Sequence, residues 1–87
     1  MVEKSLQLRI LSKDGIRFNG IVKSVTLPSI SGEITILPHH ISLLSGLGKG
    51  KVKFVPCEGA NVILQISSGF VRFVNNECIL TIAEIKV

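Results

Sequence analysis

Hydrophobic and polar residues alternate along most of the chain, which is the pattern of β-strands with one buried face. The first example is Leu6, Leu8 and Ile10, which alternate with Gln7 and Arg9. Turn residues recur roughly every ten positions, and no segment keeps the three-and-four spacing of an amphipathic helix. The sequence therefore predicts an all-β fold, a sandwich or a barrel of many short strands, in one domain over residues 1–87.

Short local signals place individual strands and turns. Asn19-Gly20 and Asn75-Asn76 predict turns, the first of them a hairpin turn that closes a short strand. Residues 62–66 are apolar at nearly every position, which predicts a strand that is covered on both faces.

The composition indicates a surface that a partner covers. Of the 87 residues, 46% are hydrophobic and 18% are charged, and the mean hydropathy is +0.52. The charged fraction of an ordinary soluble domain is about 25%, so a small two-layer domain cannot bury all of these apolar side chains. No apolar run reaches the ~18 residues that span a bilayer, and residues 1–5 are too polar for a signal peptide. We therefore expect a protein partner and no direct membrane insertion.

The positive charge raises the question of nucleic acid. The net charge is +4, and Lys49, Lys51 and Lys53 alternate with Val52 and Phe54 as an exposed strand face, expected to guard a sheet edge against aggregation. Trp and Tyr are absent and the four Phe lie in strand patterns, so stacking platforms are hard to find and no nucleic-acid partner is expected. Two alternatives stay open: a small β-barrel that binds single-stranded nucleic acid, and an unrelated β-sandwich adaptor.

Catalytic and metal-binding chemistry finds little support in the sequence. The only histidines are the neighbours His39 and His40, and no Gly-x-Ser-x-Gly elbow is present. Cys57 and Cys78 belong to no Cys-x-x-Cys pair, so we expect free thiols in a reducing, cytoplasmic environment rather than a zinc site. The sequence predicts no enzyme activity, no cofactor and no metal.

Residues 31–45 carry a distinctive motif, Ser-Gly-Glu-Ile-Thr-Ile-Leu-Pro-His-His-Ile-Ser-Leu-Leu-Ser. Gly32 suits a turn, and Pro38 ends the strand that follows because proline cannot donate to a ladder hydrogen bond. The segment resembles the epsilon subunit family of rotary ATP synthases, called delta in mitochondria. Thr35 and His39 replace glycines of the family motif. The matching positions are Gly32, Glu33, Ile36, Pro38, His40, Leu43 and Leu44.

This resemblance implies a two-sheet β-sandwich of about ten short strands. It also implies a non-catalytic rotor subunit of the central stalk that couples proton transport to ATP synthesis. It implies contact with the membrane rotor ring through Ser31, Gly32 and Glu33. It also implies contact with the gamma subunit through Ser12, His40 and Ser45.

The family's two C-terminal helices have no counterpart before Val87, so we expect a short form without the helical hairpin and its ATP site. The resemblance further implies a peripheral location, on the cytoplasmic face of a bacterial membrane or on the matrix or stromal side in an organelle.

Overall fold

Residues 5–85 are described by the computed structural model, and within this range every regular element is a β-strand. The predicted all-β fold is therefore confirmed. The alternating residues 6–10 form the first strand, as expected. The strands are β1 (Leu6–Ser12), β2 (Gly15–Ser29), β3 (Gly32–Ile36), β4 (Leu43–Leu47), β5 (Gly50–Pro56), β6 (Val62–Val74) and β7 (Glu77–Glu84).

Two of the strands are long enough to belong to both layers of the sandwich. The first layer has the order β2–β1–β7–β6–β4 and uses residues 15–22 of β2 and 66–74 of β6. The second layer has the order β3–β2–β5–β6 and uses residues 22–29 of β2 and 62–66 of β6. Hydrogen bonds thus join all seven strands of the described residues into one continuous sheet that folds over on itself.

Bulges mark the points where β2 and β6 pass from one layer to the other. The register shifts between Val22 and Ser24 in β2, and between Ile66 and Ser68 in β6. A bulge bends its strand and increases the local twist. Seven strands form where the resemblance implies about ten, because β2 and β6 each contribute one segment to both layers.

The predicted turn at Asn19-Gly20 is wrong. Both residues lie inside β2 and pair with Arg9 and Leu8 of β1. The Asn19 side-chain oxygen accepts a hydrogen bond from Gln7 Nε2 at 2.8 Å. The ladder with β1 and this cross-strand bond outweigh the local turn preference of Asn-Gly.

One hydrophobic core lies between the layers. Phe18 of the first layer packs against Phe54 of the second, with ring centroids 4.6 Å apart. Among residues 5–85, no polar or charged side chain is buried. The buried residues are Leu6, Leu8, Ile10, Val22, Val25, Leu27, Ile36, Leu47, Val52, Phe54, Ile66, Val71, Phe73, Cys78, Leu80 and Ile82.

Two further expectations need correction. Ile63 is 57% exposed, so the 62–66 segment is covered on one face only, through Val62 and Leu64. The lysine strand β5 is not a sheet edge, because it pairs with both β2 and β6. Lys51 and Lys53 do lie on its exposed face, as predicted.

Within the described part of the chain, no helix is long and apolar enough to cross a membrane.

Candidate protein interaction surfaces

The two outer faces of the sandwich differ in chemistry. The outer face of the second layer, here called the lysine face, carries Lys51 and Lys53. Lys53 pairs with Thr26 and Ile63, and Lys51 pairs with Gln65, so this face mixes polar residues with one exposed isoleucine. The other outer face carries several exposed apolar side chains, with Arg9 and Arg72 among them.

The apolar face, on the outside of the first layer, is defined by Ile16, Ile30, Leu44 and Phe70. Phe70 is 66% exposed, Leu44 is 77% exposed and Ile30 is 74% exposed. Phe70 pairs with Gly46 of β4. A Cβ at Gly46 would lie 3.7 Å from the Ile30 side chain, so Ile30 covers the glycine beside the phenylalanine ring. Exposed apolar residues gathered on one face are typical of a protein interface.

β6 and β7 approach each other closely at Gly69, next to Phe70 of the apolar face. A Cβ on Gly69 would lie 2.5 Å from the Thr81 carbonyl oxygen and 3.2 Å from Ile82 Cα. Only glycine fits there without a backbone shift, and the neighbouring Phe70 is held in the β6–β7 ladder.

The β2–β3 hairpin presents an isolated carboxylate. Ser31, Gly32 and Glu33 are all exposed, and Gly32 has a φ of 123°, as the sequence predicted for a turn glycine. The Ser31 N–H donates to Ser29 Oγ at 3.0 Å. Among residues 5–85, Glu33 has no ion-pair partner. Its carboxylate is therefore free to accept hydrogen bonds from a partner.

A tight turn over residues 37–40 carries the two histidines. The His40 N–H donates to the Leu37 carbonyl at 3.1 Å, and His39 has a φ of 66°. Pro38 fixes φ near −65° at the second turn position, so positive φ at the third gives a type II turn. This conformation favours glycine and costs another residue about 1–2 kcal/mol. His39 thus adopts a backbone conformation that glycine would adopt without strain.

His40 is oriented by two contacts. Its ring lies edge-on to Phe73, with centroids 6.1 Å apart and an interplanar angle of 78°. Its Nδ1 lies 2.8 Å from the Ile41 carbonyl oxygen. A carbonyl only accepts, so Nδ1 donates, and in the neutral ring Nε2 keeps a lone pair that can accept from a partner.

The two cysteines and the histidines form no metal site. Among the described residues, no group of three His, Cys, Asp or Glu side chains could hold an ion. Cys57 is exposed, whereas Cys78 is buried and desolvation raises its pKa to about 12. Both are free thiols, as expected.

Comparison with known proteins identifies the fold. A family model described as the β-sandwich domain of the ATP synthase delta/epsilon chain matches residues 5–85. The chain belongs to this family. The resemblance predicted from residues 31–45 is confirmed, and with it the β-sandwich.

Curated relatives of this delta/epsilon family are bacterial ATP synthase epsilon chains. That of Endomicrobium trichonymphae is 39% identical over 70 residues, which cover 80% of this chain and 50% of the relative. That of Wolinella succinogenes is 40% identical over 67 residues, covering 77% and 51%. The chain spans about half the length of the curated relatives it matches.

Solved structures give the same fold. A chain of the Euglena gracilis mitochondrial ATP synthase, determined with OSCP, F1 and the c-ring, superposes with a TM-score of 0.87 at 19% identity. The match covers 97% of this chain and 54% of that one. A chain from the Tetrahymena thermophila mitochondrial ATP synthase central stalk and c-ring gives a TM-score of 0.76 at 16% identity, covering 97% and 67%.

The delta/epsilon fold spreads the three residues predicted to contact gamma along the first layer. His40 lies beside Phe73, near the start of β1, whereas Ser12 ends β1 and donates to the Gly15 carbonyl at 3.3 Å. Ser45 pairs with Val71 between these ends and is partly buried. The extended chain from residue 5 to residue 12 is roughly 23 Å long. A partner that touches all three must therefore cover much of this layer.

Two features of the delta/epsilon domain escaped the sequence analysis. Arg17 and Glu84 form an ion pair between strands distant in sequence, and Asn76 bonds to the histidine turn across 37 positions. No local signal indicates either contact, because Asn76 already suits its turn and both charged residues suit an exposed strand.

Proposed function

We propose that this domain is a non-catalytic part of the central stalk of a rotary ATP synthase, where it joins the gamma subunit to the membrane rotor ring. Family membership supports the proposal, as does similarity to chains of ATP synthase structures that include the central stalk or the c-ring. The observation that carries it is the pair of unlike exposed surfaces, the apolar face and the β2–β3 hairpin, on one small body.

The apolar face suits a lasting contact with gamma. Burying one large apolar side chain stabilises a complex by about 1.5–3 kcal/mol before the cost of association. Leu44 and Phe70 are exposed on neighbouring strands, whereas Ser45 points to the opposite side of β4, beside Val71, where a partner reaches it only around the edge of the sheet. In this proposal, gamma covers this face and reaches His40 at one end and Ser12 at the other.

The β2–β3 hairpin suits the rotor ring. Ser31, Gly32 and Glu33 form an exposed polar tip, and the Glu33 carboxylate can accept hydrogen bonds from amide or basic groups in polar loops of the ring. Such a contact fixes the orientation of the domain on the ring and adds little to the stability of the domain itself.

The action we propose is mechanical. Proton flow turns the ring, and the domain passes the torque to gamma and so to the catalytic subunits. Ladder hydrogen bonds in both layers resist shear, which limits slippage between ring and gamma. The location that follows is peripheral, on the cytoplasmic face of a bacterial membrane or the matrix or stromal side in an organelle. Every regular element of residues 5–85 is a strand, and we expect this β-sandwich by itself to leave ATP hydrolysis uninhibited.

The nucleic-acid alternative gains no support from the structure. Phe70 is the one exposed phenylalanine of the described residues and shares its face with Arg72, so this face offers a single phenylalanine ring, whereas Lys51 and Lys53 lie on the opposite lysine face. Binding of single strands combines cationic groups with stacking aromatic rings in one groove.

The test is reconstitution with a catalytic complex that contains gamma but lacks its own epsilon subunit. We expect the purified domain to co-elute with this complex in size-exclusion chromatography and to leave ATP hydrolysis near its starting rate. A complex without gamma serves as the control and should not retain the domain. Failure to co-elute would overturn the proposed stalk role, and strong inhibition of hydrolysis would overturn the non-inhibitory role.

A further inference from the structure

Asn76 connects three segments that are distant in sequence. Its side-chain Oδ1 accepts a hydrogen bond from the His39 N–H at 2.7 Å, and its Nδ2 donates to the Ser5 carbonyl at 2.9 Å. Its own carbonyl accepts from the Gln7 N–H at 3.1 Å. His39 offers a donor and Ser5 an acceptor, so only one orientation of the side-chain amide satisfies both.

The backbone at Asn76 holds this side chain in place. Asn75 and Asn76 form the two-residue loop between β6 and β7, with φ values of 53° and 62°. Positive φ at both positions is the type I′ hairpin turn, which asparagine tolerates well. The loop conformation and the bond to Ser5 together aim Oδ1 at the histidine turn.

The histidine turn has an alternative conformation. Type I and type II turns differ mainly by a flip of the central peptide, here the bond between Pro38 and His39. Type I would remove the unfavourable positive φ of His39. The same flip would turn the His39 N–H away from Asn76 and break the 2.7 Å hydrogen bond.

We propose that Asn76 is a positioning residue that holds the 37–40 turn in the type II form and thereby sets how His40 is presented to gamma. The part that concerns gamma rests on the proposed function; the part that concerns the turn does not. His40 directly follows the flipping peptide, and its N–H closes the turn on Leu37. A flip therefore changes the approach of the His40 ring to Phe73.

The test uses three variants and a double variant. Asn76→Gly removes the side chain while tolerating the positive φ, and Asn75→Gly is the matched control in the same turn. His39→Gly lowers the cost of the type II form, so it should rescue Asn76→Gly in the double variant. The probes are the NMR signals of the His39 amide and the His40 ring in the free domain, and the affinity for the cognate gamma subunit.

We expect Asn76→Gly to increase hydrogen exchange at the His39 amide, to shift the His40 ring signals and to weaken gamma binding about three- to tenfold, the range for one lost hydrogen bond. Asn75→Gly should change neither signal nor affinity. His39→Gly should return the His40 signals and most of the affinity in the double variant. General destabilisation would instead lower the melting temperature while leaving the His39 and His40 signals of the folded domain unchanged.

Unchanged His39 and His40 signals in Asn76→Gly would overturn the positioning role, as would failure of His39→Gly to restore them. His40→Ala separates the two proposals. If His40→Ala binds gamma as tightly as the unmodified domain, the gamma contact assigned to His40 is wrong, while the NMR result still decides whether Asn76 controls the turn.

Discussion

Arg17 and Glu84 form a two-pronged ion pair, with Arg17 Nε 2.7 Å and Nη2 3.0 Å from the two carboxylate oxygens of Glu84. The pair joins the start of β2 to the end of β7 and raises the pKa of Arg17, through the hydrogen bond first and the charge second. Glu84 is the more sheltered partner, with 18% of its side chain exposed. The contact therefore links β2 and β7, the two strands that flank β1 in the first layer.

Glu84→Gln should lower the melting temperature at low salt, because it removes the charge that Arg17 faces. The difference should shrink near 1 M salt, where the screening length is about 3 Å. Glu77→Gln is the control, since Glu77 lies 3.9 Å from Arg9 and both side chains are well exposed. Thermal unfolding at two salt concentrations measures both variants; equal effects of the two would show that the two-pronged geometry is unimportant.

Phe70→Ser should weaken binding to gamma by roughly ten- to a hundredfold, the equivalent of one large apolar side chain left unburied. Its effect on folding should be small because Phe70 is 66% exposed. Ile63→Ser provides the matched control: it is 57% exposed but lies on the lysine face. Calorimetric titration with gamma compares them, and a similar loss in both would argue against the apolar face as the gamma surface.

Glu33→Lys should reduce ATP-driven proton pumping by the reconstituted complex while changing the free energy of unfolding by less than about 0.5 kcal/mol. Glu58→Lys makes the same charge change at another exposed turn and should pump normally. Pumping is measured by dye quenching in vesicles. Parallel losses of stability and pumping in the Glu33 variant would indicate a structural role for the carboxylate.

Gly69→Ala should lower the free energy of unfolding by about 1–3 kcal/mol, because the added methyl group overlaps the backbone of β7. Gly48→Ala is the control, since a Cβ there would lie 4.0 Å from the Pro28 carbonyl oxygen, an ordinary van der Waals distance. Urea unfolding followed by circular dichroism measures both. A stable Gly69 variant would mean that β6 and β7 separate easily at this point.

The stability of the domain should fall as the pH rises above about 9. An exposed cysteine releases its proton near pH 9.0, whereas burial raises the pKa of Cys78 to about 12. Between these values the folded state binds more protons than the unfolded state, so each pH unit costs up to about 1.4 kcal/mol. Cys78→Ala should flatten this slope and Cys57→Ala should not. Urea titrations between about pH 9 and pH 12 give the free energy of unfolding of both variants. Equal slopes of this free energy against pH in Cys78→Ala and Cys57→Ala would contradict the prediction.

Local sequence patterns predicted a strand or turn correctly where the backbone conformation that they favour is also the one required by the neighbouring strands. The alternation of Leu6, Leu8 and Ile10 predicted β1, and Asn75-Asn76 predicted the β6–β7 turn, because in both cases the preferred backbone is also the one the ladder needs. Asn19-Gly20 failed because β1 pairs with it along the whole strand. The spacing of three between the buried Val22 and Val25 was a visible sign of the bulge.

Strand order and long-range contacts were beyond the reach of a local pattern. The lysine strand looked like an edge because exposed lysines often mark edges, yet its position depends on β2 and β6, which are distant in sequence. The unusual backbone of His39 depends in the same way on Asn76. The interface residues carried over from the family motif stay predictions, since a β-sandwich alone does not determine its partners.

Because β2 runs through both layers, one stretch of backbone connects the first layer to the β2–β3 hairpin. β2 begins at Gly15, two residues before Arg17, which binds Glu84. It ends at Ser29, at the base of the β2–β3 hairpin. A load applied to the hairpin tip thus enters a single peptide backbone that is stiff in tension. Elastic compliance should therefore concentrate in the connections outside the strands, at residues 37–42 and 57–61, rather than at a joint between the layers.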